Sequence, residues 1–515
     1  MMIESMFWGG LLRAAQAMLQ SIPTLLVGLL VAGIFRRLLG PEGTRRLFAS
    51  GTRRELPQAW LLGMLLPVCS LGVIPIAREM RRSGISGGTT LAFAMTAPLF
   101  NPLSLLYGLT LSEPWIIIGF SLCSLAVVTV VGSAWDRLFP GTSVQDPAPP
   151  TVAPGARRML AVVVAAAREL TGPSIGYIAL GLLGVGLLGA ALPPASLSTT
   201  MEHSNPLAPL EMAAVALPAY ATPMVAMGQL GSMFQHANSP GAAFVLLTLG
   251  AGVNLGLVAW MIRVYGLRRG IAWLGILLCV VLGLAYAVES PLYPSGVTPA
   301  GHTHAFDIYC RLFGPETRDL ARASISKLGE GFGPVERLGL TMLGFLGILG
   351  LSLRALDRRW RIEEWLERDP REAGEPTSWR DAAVPAPVLG GVALLGLVAF
   401  SVVGCYAYYP APREVFEEMS ILKGEVLTAA LSGDRKHAEH FLPVWADWTR
   451  RLEVGVFLRE GSLSPYRRAK AKVLRDRLEL LKHAVEEGDR DESREYVSSV
   501  SRAHTRLRRA FLDGT

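Results

Sequence analysis

Charged residues are scarce in this chain: they make up 18% of its 515 residues, whereas soluble globular domains average about 25%. Hydrophobic residues account for 51%, and the mean hydropathy is +0.37. Apolar runs of about 20 residues, the length of a membrane-crossing helix, recur through the first 290 positions and twice more before residue 410. The chain is therefore predicted to be an all-α, polytopic membrane protein.

Cysteine and the common catalytic motifs are also scarce. The five cysteines include no Cys-x-x-Cys pair, so neither a disulfide framework nor a zinc knuckle is expected. No G-x-x-x-x-G-K-[ST] loop, G-x-S-x-G elbow or H-E-x-x-H motif occurs. A G-x-G-x-x-G at 184–189 lies inside an apolar run with no preceding strand, where glycines serve helix packing. The sequence therefore gives no support to an enzyme.

Arginine carries most of the net charge of +7, and much of it lies next to apolar runs. Cytoplasmic loops of membrane proteins are enriched in Arg and Lys, so this placement indicates membrane orientation rather than nucleic-acid binding. The N-terminus has neither a basic region before its first apolar run nor a small-residue cleavage site. No removable signal peptide is therefore expected.

Ten apolar segments are predicted, and the Pro-rich stretch PGTSVQDPAPPTVAPG (140–155) divides the first eight into two halves. The segments lie near 18–38, 58–77, 86–108, 114–135, 173–193, 208–229, 240–262, 271–289, 336–356 and 385–408. The predicted domains are a first repeat (1–139), a linker with an amphipathic cytoplasmic segment (140–172), a second repeat (173–289), an outer loop (290–335), two additional transmembrane helices with a cytoplasmic loop (336–408) and a charged C-terminal domain (409–515).

The two halves resemble each other in the order of their segments. In each half a Pro-interrupted stretch, LPVCSLGVIPIAREM (66–80) or LPAYATPMVAMGQL (217–230), precedes a small-residue-rich segment that ends in Asn101 or Asn254. Proline and glycine break a membrane helix and free backbone groups, which must then be buried in protein or face a cavity. Paired broken segments at matching positions of two repeats are typical of a transporter's binding site.

Arginine placement predicts that the first broken segment enters the membrane and returns. Arginines precede it at 36–54 and follow it at 78–82, so both of its flanks are expected in the cytoplasm. The loops at 194–210 and 230–240 contain no Lys or Arg, so the second broken segment is expected to enter from outside. The two repeats are therefore predicted to be inverted, each with a re-entrant hairpin, and the C-terminal domain is predicted to lie outside.

The first broken segment carries a specific pattern: P-x-C-S-x-G-x-x-P at 67–75, a basic turn, and T-x-P-x-x-N-P at 96–102. With these motifs the chain resembles, over roughly residues 15–290, the predicted-permease family that contains the organoarsenical efflux permease ArsP and the YraQ-type permeases. The resemblance implies a permease of the bacterial inner membrane, whose relatives extrude trivalent organoarsenicals through thiol contacts. Where the family commonly has Cys-Ser-Cys-Gly, Leu71 replaces the second cysteine, so Cys69 is the only thiol of the motif.

The candidate substrate-binding residues lie in the broken segments and at the ends of the segments that follow them. They are Cys69, Ser70, Gly72, Pro75, Thr96, Asn101, Tyr220, Thr222, Gln229 and Asn254. Free N–H groups at half-helix ends favour anionic or electron-rich groups, and no Asp or Glu lies deep in the eight segments. Because a carrier of multivalent cations would need a buried carboxylate, a small neutral or anionic solute is predicted.

Each candidate also has a purely structural interpretation. Cys69 can be a small buried hydrophobe, as free cysteine commonly is. Asn101 and Asn254 can cap half-helices or form hydrogen bonds between helices without touching a solute.

The outer loop offers one candidate metal site. In PAGHTHAFDIYC, His302, His304, Asp307 and Cys310 are ligand types suited to zinc or copper, and an H-x-H pair in an extended loop points both rings to one side. The spacing matches no standard site, so ordinary loop histidines remain the alternative. Apart from this metal, no cofactor is predicted.

The C-terminal domain is predicted to be a soluble four-helix bundle, with helices near 412–431, 434–458, 464–487 and 489–511. Gly-Asp-Arg opens the second helix of each hairpin, where Gly ends one helix and Asp caps the next. Without a C-x-x-C-H motif, covalent haem is not expected. The four histidines of the domain are expected on the surface; they are His437, His440, His483 and His504. The bundle suits a sensor, a docking site for a periplasmic protein or a module that captures solute.

Together these features predict a permease that moves a small neutral or anionic solute by alternating access between inverted halves, with metalloid and organoarsenical compounds among the candidates. Its expected surroundings are the lipid bilayer of the bacterial inner membrane, with the C-terminal domain in the periplasm. The alternative is a membrane receptor or scaffold that does not transport and that signals through the outer bundle. Polar groups at broken helices are costly to keep without a solute path, which favours the permease.

Overall fold

The fold is known from a computed structural model, and it is helical throughout the described residues. These are 2–49, 51–52, 54–111, 114–141, 157–193, 196–197, 200–294, 305–313, 317, 319–330, 333–362, 366 and 385–512. No β-strand occurs among them. Six described helices are long and apolar enough to cross a membrane, which confirms the prediction of an all-α, polytopic protein. They are Ile3–Leu47, Pro114–Leu138, Ser174–Ala191, Leu267–Glu289, Val335–Leu356 and Val388–Tyr408.

The first half of the chain begins with one long helical stretch that ends at Leu47. Four short helices and a second long helix follow it. The helices of this half are α1 (Met2–Ile34), which continues through a π-helical turn (Phe35–Leu39) into α2 (Gly40–Leu47), then α3 (Glu55–Leu65), α4 (Val73–Arg82), α5 (Gly87–Thr96), α6 (Pro102–Leu111) and α7 (Pro114–Leu138). Irregular stretches separate α3 from α4 and α5 from α6. Leu66 is extended (φ −96°, ψ 127°), as expected of a residue that precedes a proline.

The second half has the same order of long and short helices. Its helices are α8 (Arg157–Leu170), α9 (Ser174–Ala191), α10 (Ala208–Ala216), α11 (Pro223–Gln235), α12 (Pro240–Val245), which continues as a π-helical turn (Leu246–Ala251), α13 (Leu255–Tyr265) and α14 (Leu267–Glu289). A 60° bend separates the helix Pro240–Ala251 from α13. An interruption is predicted from the sequence only in the first broken segment of each half, and the structure shows a second one in each.

The same contact at a helix N-terminus occurs once in each half: a carboxylate accepts hydrogen bonds from the first residues of a short helix. The Asp136 carboxylate accepts hydrogen bonds from the Ser86 hydroxyl (3.0 Å) and the Gly88 N–H (2.8 Å), at the start of α5. At the start of α12, the hydroxyl of residue 239 and the N–H of residue 241 donate to Glu289, each at 2.7 Å. Each group of the second set follows its counterpart by 153 positions. The similarity between the halves therefore extends to a specific side-chain contact.

Three more helices follow: α15 (Leu320–Glu330), α16 (Pro334–Trp360) and α17 (Ala386–Tyr408). Glycines of α16 lie close to one helix of each half. A Cβ added at Gly350 would collide with the carbonyl oxygen of Ala167 in α8, and one added at Gly339 would lie 2.7 Å from the Ile22 side chain of α1. α16 therefore packs against the helices of the two halves.

The described chain divides into two compact units, and the second contains residues 106–114 and 400–515. Its main helices are α18 (Pro412–Ser432), α19 (Arg435–Glu460), α20 (Pro465–Glu487) and α21 (Arg490–Leu512). They enclose a shared apolar core that includes Trp445, Leu474 and Leu507. This confirms the predicted four-helix bundle. Gly433 has φ +80° and ends α18, and the Asp434 carboxylate caps α19, as the Gly-Asp pair predicts.

The prediction that the four bundle histidines lie on the surface is wrong for one of them. His504 is buried between the rings of Phe416 and Trp445, with centroid distances of 5.9 and 5.5 Å. Position 504 lies four residues after Val500 and three before Leu507, both of which are in the core. The helical repeat therefore places the histidine on the core face.

Candidate functional site

Four irregular stretches interrupt helices of the two halves, and they are the centre of the candidate site. They comprise residues 66–72, 97–101, 217–222 and 252–254, and all are buried or half-buried. Four short helices begin at them: α4, α6, α11 and α13. The first N–H groups of a helix have no partner within it, and they form the positive end of the helix dipole. Each interruption is therefore followed directly by the positive N-terminal end of a short helix.

Cys69 lies in the turn that leads into α4. Its Sγ accepts a hydrogen bond from the Gly72 N–H at 3.4 Å, and its side chain is fully buried. Thr222 follows Cys69 by 153 positions and caps α11, where its Oγ1 accepts a hydrogen bond from the Val225 N–H at 3.4 Å. The thiol and the hydroxyl thus each accept a hydrogen bond from the N–H three residues further along the chain.

Asn101 and Asn254 cap the two remaining helices. Asn101 Oδ1 accepts a hydrogen bond from the Ser104 N–H at 2.8 Å, at the start of α6. Asn254 Oδ1 accepts one from the Leu257 N–H at 2.9 Å, at the start of α13. Both asparagines are buried. The geometry therefore supports the capping role that the sequence left open for them.

Interruptions from the two halves are in contact. A Cβ added at Gly252 would lie 2.8 Å from Leu99 Cδ2 and 3.1 Å from the carbonyl oxygen of Met95. One added at Gly181, in α9, would lie 2.6 Å from Leu71 Cδ2 and 2.9 Å from Asn254 Oδ1. Interrupted stretches of the two halves are therefore neighbours in the fold.

Cys69 and Tyr220 lie together in one buried cluster, which also contains Leu71. The Tyr220 hydroxyl is next to the Cys69 thiol and the Ser21 hydroxyl of α1. This cluster brings one candidate from each half to the same place.

Two polar groups at the interruptions have no hydrogen-bond partner in the described part of the chain. They are the Ser70 hydroxyl and the Asn254 Nδ2 amide, and both are buried. Burying a polar group without a partner costs about 1–3 kcal/mol, and most buried polar groups are satisfied. These two groups are therefore available to a bound solute or to water.

No acidic residue lies in the four interruptions. Buried acids of this unit pair with arginines instead: Glu79 with Arg82, and Glu169 with Arg78. The electrostatic character of the site is consequently set by the helix N-termini, which favour an anionic or electron-rich group.

Gly72, Pro75 and Thr96 shape the interruptions. A Cβ at Gly28 of α1 would collide with the Gly72 carbonyl oxygen, so α1 and the first interruption approach closely. Pro75 lies in the first turn of α4, where its missing N–H removes no helical hydrogen bond. The Thr96 hydroxyl donates to the carbonyl of Ala92 at 2.7 Å, within α5.

Gln229 lies seven residues beyond the third interruption, and its side chain forms hydrogen bonds with two residues of the outer loop. Its amide nitrogen donates to the carbonyl of Ala305 at 2.8 Å, and its oxygen accepts from the Tyr309 hydroxyl at 3.2 Å. Both polar atoms of the side chain are thus used within the protein, and solute contact by Gln229 stays a prediction.

The predicted metal site falls only partly within the described residues. Asp307 begins a short 3₁₀ turn (Asp307–Tyr309), and its backbone carbonyl accepts a hydrogen bond from the Arg13 guanidinium. His302 and His304 lie outside the described residues. Among the residues that the structure does describe, no three His, Cys, Asp or Glu side chains are placed to hold a metal ion.

A family sequence model described as "Predicted permease" matches residues 11–290. The match covers more than half of the chain and includes all four interruptions. The chain belongs to this family. Membership confirms the resemblance seen in the motifs and supports a membrane transporter rather than an enzyme.

Two curated proteins match a shorter stretch of this permease. UPF0718 protein YcgR of Bacillus subtilis is 31% identical over 88 residues, which is 17% of this chain and 30% of that protein. A putative two-component membrane permease complex subunit of Streptococcus mutans is 23% identical over 87 residues, 17% of this chain and 29% of that protein. The chain thus spans less than a third of the length of these relatives. No solved structure gives a significant match.

Proposed function

We propose that this permease moves a small neutral or anionic solute through the region where the four interruptions meet. The observation that carries the proposal is the pair of buried polar groups without a protein partner, the Ser70 hydroxyl and the Asn254 Nδ2 amide. A core that served packing alone would be more stable with apolar groups at these positions. A solute that contacts them during transport gives these groups a use.

Alternating access between two inverted halves is the mechanism that we propose. The interval of 153 positions relates Cys69 to Thr222, Asn101 to Asn254, and the carboxylate at 136 to that at 289. Arginine clusters flank the first broken segment, whereas the loops at 194–210 and 230–240 beside the second contain no Lys or Arg, which supports opposite orientations of the halves in the membrane. Movement of one half against the other would then expose the central region to each side in turn.

We infer a soft, thiophilic solute, such as a metalloid or an organoarsenical compound, and transport out of the cell. The inference rests on family membership and on the position of the Cys69 thiol beside the Tyr220 hydroxyl. The motif supplies one thiol, so the rest of the binding energy would come from hydroxyl groups and helix N-termini.

We place the permease in the bacterial inner membrane with the bundle in the periplasm. The unit that contains the bundle also contains residues 106–114, and there the Tyr107 ring stacks on Tyr409 with centroids 6.5 Å apart. Residues 110–115 contain no Lys or Arg, which favours the outer side for this loop and for the bundle beside it. One relative is named as a subunit of a permease complex, which supports a protein partner, and we propose that it docks on the bundle.

Accessibility of Cys69 tests the proposed path. The full chain, with its other four cysteines replaced, is reconstituted into liposomes. Membrane-impermeant thiol reagents are then applied from each side, with and without a trivalent organoarsenical, arsenite or a small anion. We expect labelling that one of these solutes slows. The matched variant on a background without native cysteines carries Thr222→Cys, and we expect it to label as well.

Ser462→Cys, in the exposed turn after α19, shows that the reagent reaches a folded protein. If positions 69 and 222 stay unreactive from both sides while position 462 labels, the central path is contradicted. Absence of solute flux into the same liposomes would then favour the receptor or scaffold.

A further inference from the structure

The last two helices of the bundle carry their charges unevenly. Residues 465–477 of α20 and 499–512 of α21 contain ten Arg or Lys residues and a single acid, Asp476. The stretch between them, 478–498, contains seven acids and three basic residues. One end of this helix pair is therefore strongly positive, and the opposite end is negative.

A groove of about 330 Å³ opens between α20 and α21 at the positive end. Four cations line it, Lys470, Arg477, Arg502 and Arg506, and its lining contains no acid. Within the described chain, none of the four takes part in an ion pair. The Ser499 hydroxyl also lines the groove and has no hydrogen-bond partner among the described residues.

The register of α20 and α21 places a lysine of one helix level with an arginine of the other. Arg467 Nε donates to the carbonyl of Ala510 at 3.1 Å, so the antiparallel arrangement places Lys470 level with Arg506 and Arg477 level with Ser499. Positive groups that share one groove repel each other and destabilise the folded state. An anion bound between them would remove this repulsion.

The positive end of the helix pair is also the end that adjoins the apolar helix α17. The preceding helix, α17, is apolar enough to cross a membrane and ends at Tyr408. The Arg459 guanidinium, at the end of α19, donates to the Tyr409 carbonyl at 2.7 Å. α20 begins five residues after α19 ends, and the Arg467 guanidinium at its start lies over the Phe511 ring of α21, 5.5 Å from the centroid. Lys470 is about 8 Å along α20 from its first residue.

We propose that this groove binds the phosphate of an anionic phospholipid head group at the membrane surface beside the bundle. Arginine donates paired hydrogen bonds to phosphate oxygens, and lysine adds a positive charge. The Ser499 hydroxyl supplies a further donor at the groove wall. Basic clusters next to a membrane segment are attracted to anionic lipids, whose head-group phosphates lie at the membrane surface. The bound lipid orients the bundle on the bilayer.

Lipid titration of the purified full chain in a neutral detergent tests this site. The probes are soluble short-chain phosphatidylglycerol, short-chain phosphatidylcholine and inorganic phosphate, and the readout is the binding isotherm together with its salt dependence. We expect phosphatidylglycerol to bind at least about tenfold more tightly than phosphatidylcholine, with an affinity that falls as salt rises.

The double variant Arg502→Gln/Arg506→Gln should lose about tenfold in phosphatidylglycerol affinity. The matched control, Arg490→Gln/Arg494→Gln, removes the same charge and the same spacing from the other end of α21 and should bind like the unaltered chain. Equal binding of both lipids, or equal losses in the two variants, would overturn the proposal. Binding of inorganic phosphate as tight as that of the lipid would reassign the groove to the free anion and overturn the lipid assignment. Melting temperatures no lower than that of the unaltered chain show that both variants fold.

Discussion

The Glu289 carboxylate accepts a hydrogen bond from the Gly241 N–H at 2.7 Å, and this contact joins the end of α14 to the start of α12. Its counterpart lies 153 positions earlier, where Asp136 accepts from the Gly88 N–H at 2.8 Å. A carboxylate at a helix N-terminus satisfies free N–H groups and interacts favourably with the helix dipole. In each half, one long helix thus positions the short helix that leads to a central interruption.

Removing either carboxylate should destabilise the permease. We expect Asp136→Ala and Glu289→Ala each to lower the free energy of unfolding by about 1–2 kcal/mol, because each leaves helix N–H groups unsatisfied. The melting temperature of the detergent-solubilised chain measures the loss. Glu4→Ala, at an exposed position of α1, is the control. Losses no larger than that of the control would show that these caps do not hold the short helices.

The unpartnered Ser70 hydroxyl should matter for transport and not for stability. Ser70→Ala removes a buried group that has no partner in the described chain. We therefore expect an unchanged or raised melting temperature, because an unsatisfied polar group is lost, together with at least about tenfold slower flux of the solute that protects Cys69. Ser104→Ala is the structural contrast, since the Ser104 hydroxyl accepts from the Asn101 N–H at 3.0 Å. A lower melting temperature with unchanged flux in Ser70→Ala would contradict a role in the solute path.

Composition and helix-end signals predicted the helical architecture well, because they act locally. The Gly-Asp pairs mark the bundle turns, and the described helix Arg435–Glu460 lies within two residues of its predicted bounds. Pro67 and Gly72 likewise marked the first interruption through backbone geometry that depends only on neighbouring residues.

Contacts between distant residues could not be predicted from local signals. Nothing near Asp136 shows that it caps a helix that begins about 50 positions earlier, and the contact is set by the packing of α7 against α5. The second interruption of each half was missed although Pro98 and Asn101 signal it, because the apolar run continues through them. For His504, its charged neighbours outweighed the helical repeat that places it in the core.

The stability of the bundle should depend on pH through His504. Burial, together with the positive charges of Lys423 and Arg508, lowers the pKa of His504 from an ordinary value of 6.5 to about 4. Between these values the unfolded chain binds more protons than the folded one, so the contribution of neutral His504 is complete above about pH 6.5 and is lost as the pH falls towards 4. The loss amounts to at most about 3 kcal/mol.

Hydrogen exchange of the α19 and α21 amides, corrected for the intrinsic rate, measures this effect between pH 7 and pH 5. We expect protection to fall with pH in the unaltered chain and in the control variant His440→Leu, whose side chain is exposed. His504→Leu should remove most of the dependence. An equal dependence in both variants would assign the effect to other groups.

The buried pair of Glu453 and Arg475 links α19 to α20 and should show strong coupling. Arg475→Met leaves the Glu453 carboxylate buried without its partner, and such a loss costs about 3–5 kcal/mol. The double variant Glu453→Leu/Arg475→Met should recover most of that loss, because replacing both members of a buried pair with apolar groups is often neutral. Lys482→Met, in the exposed pair with Glu486 on the same helix, should cost no more than about 0.5 kcal/mol. Chemical unfolding of the three variants measures the differences, and a double variant no more stable than Arg475→Met would contradict the coupling.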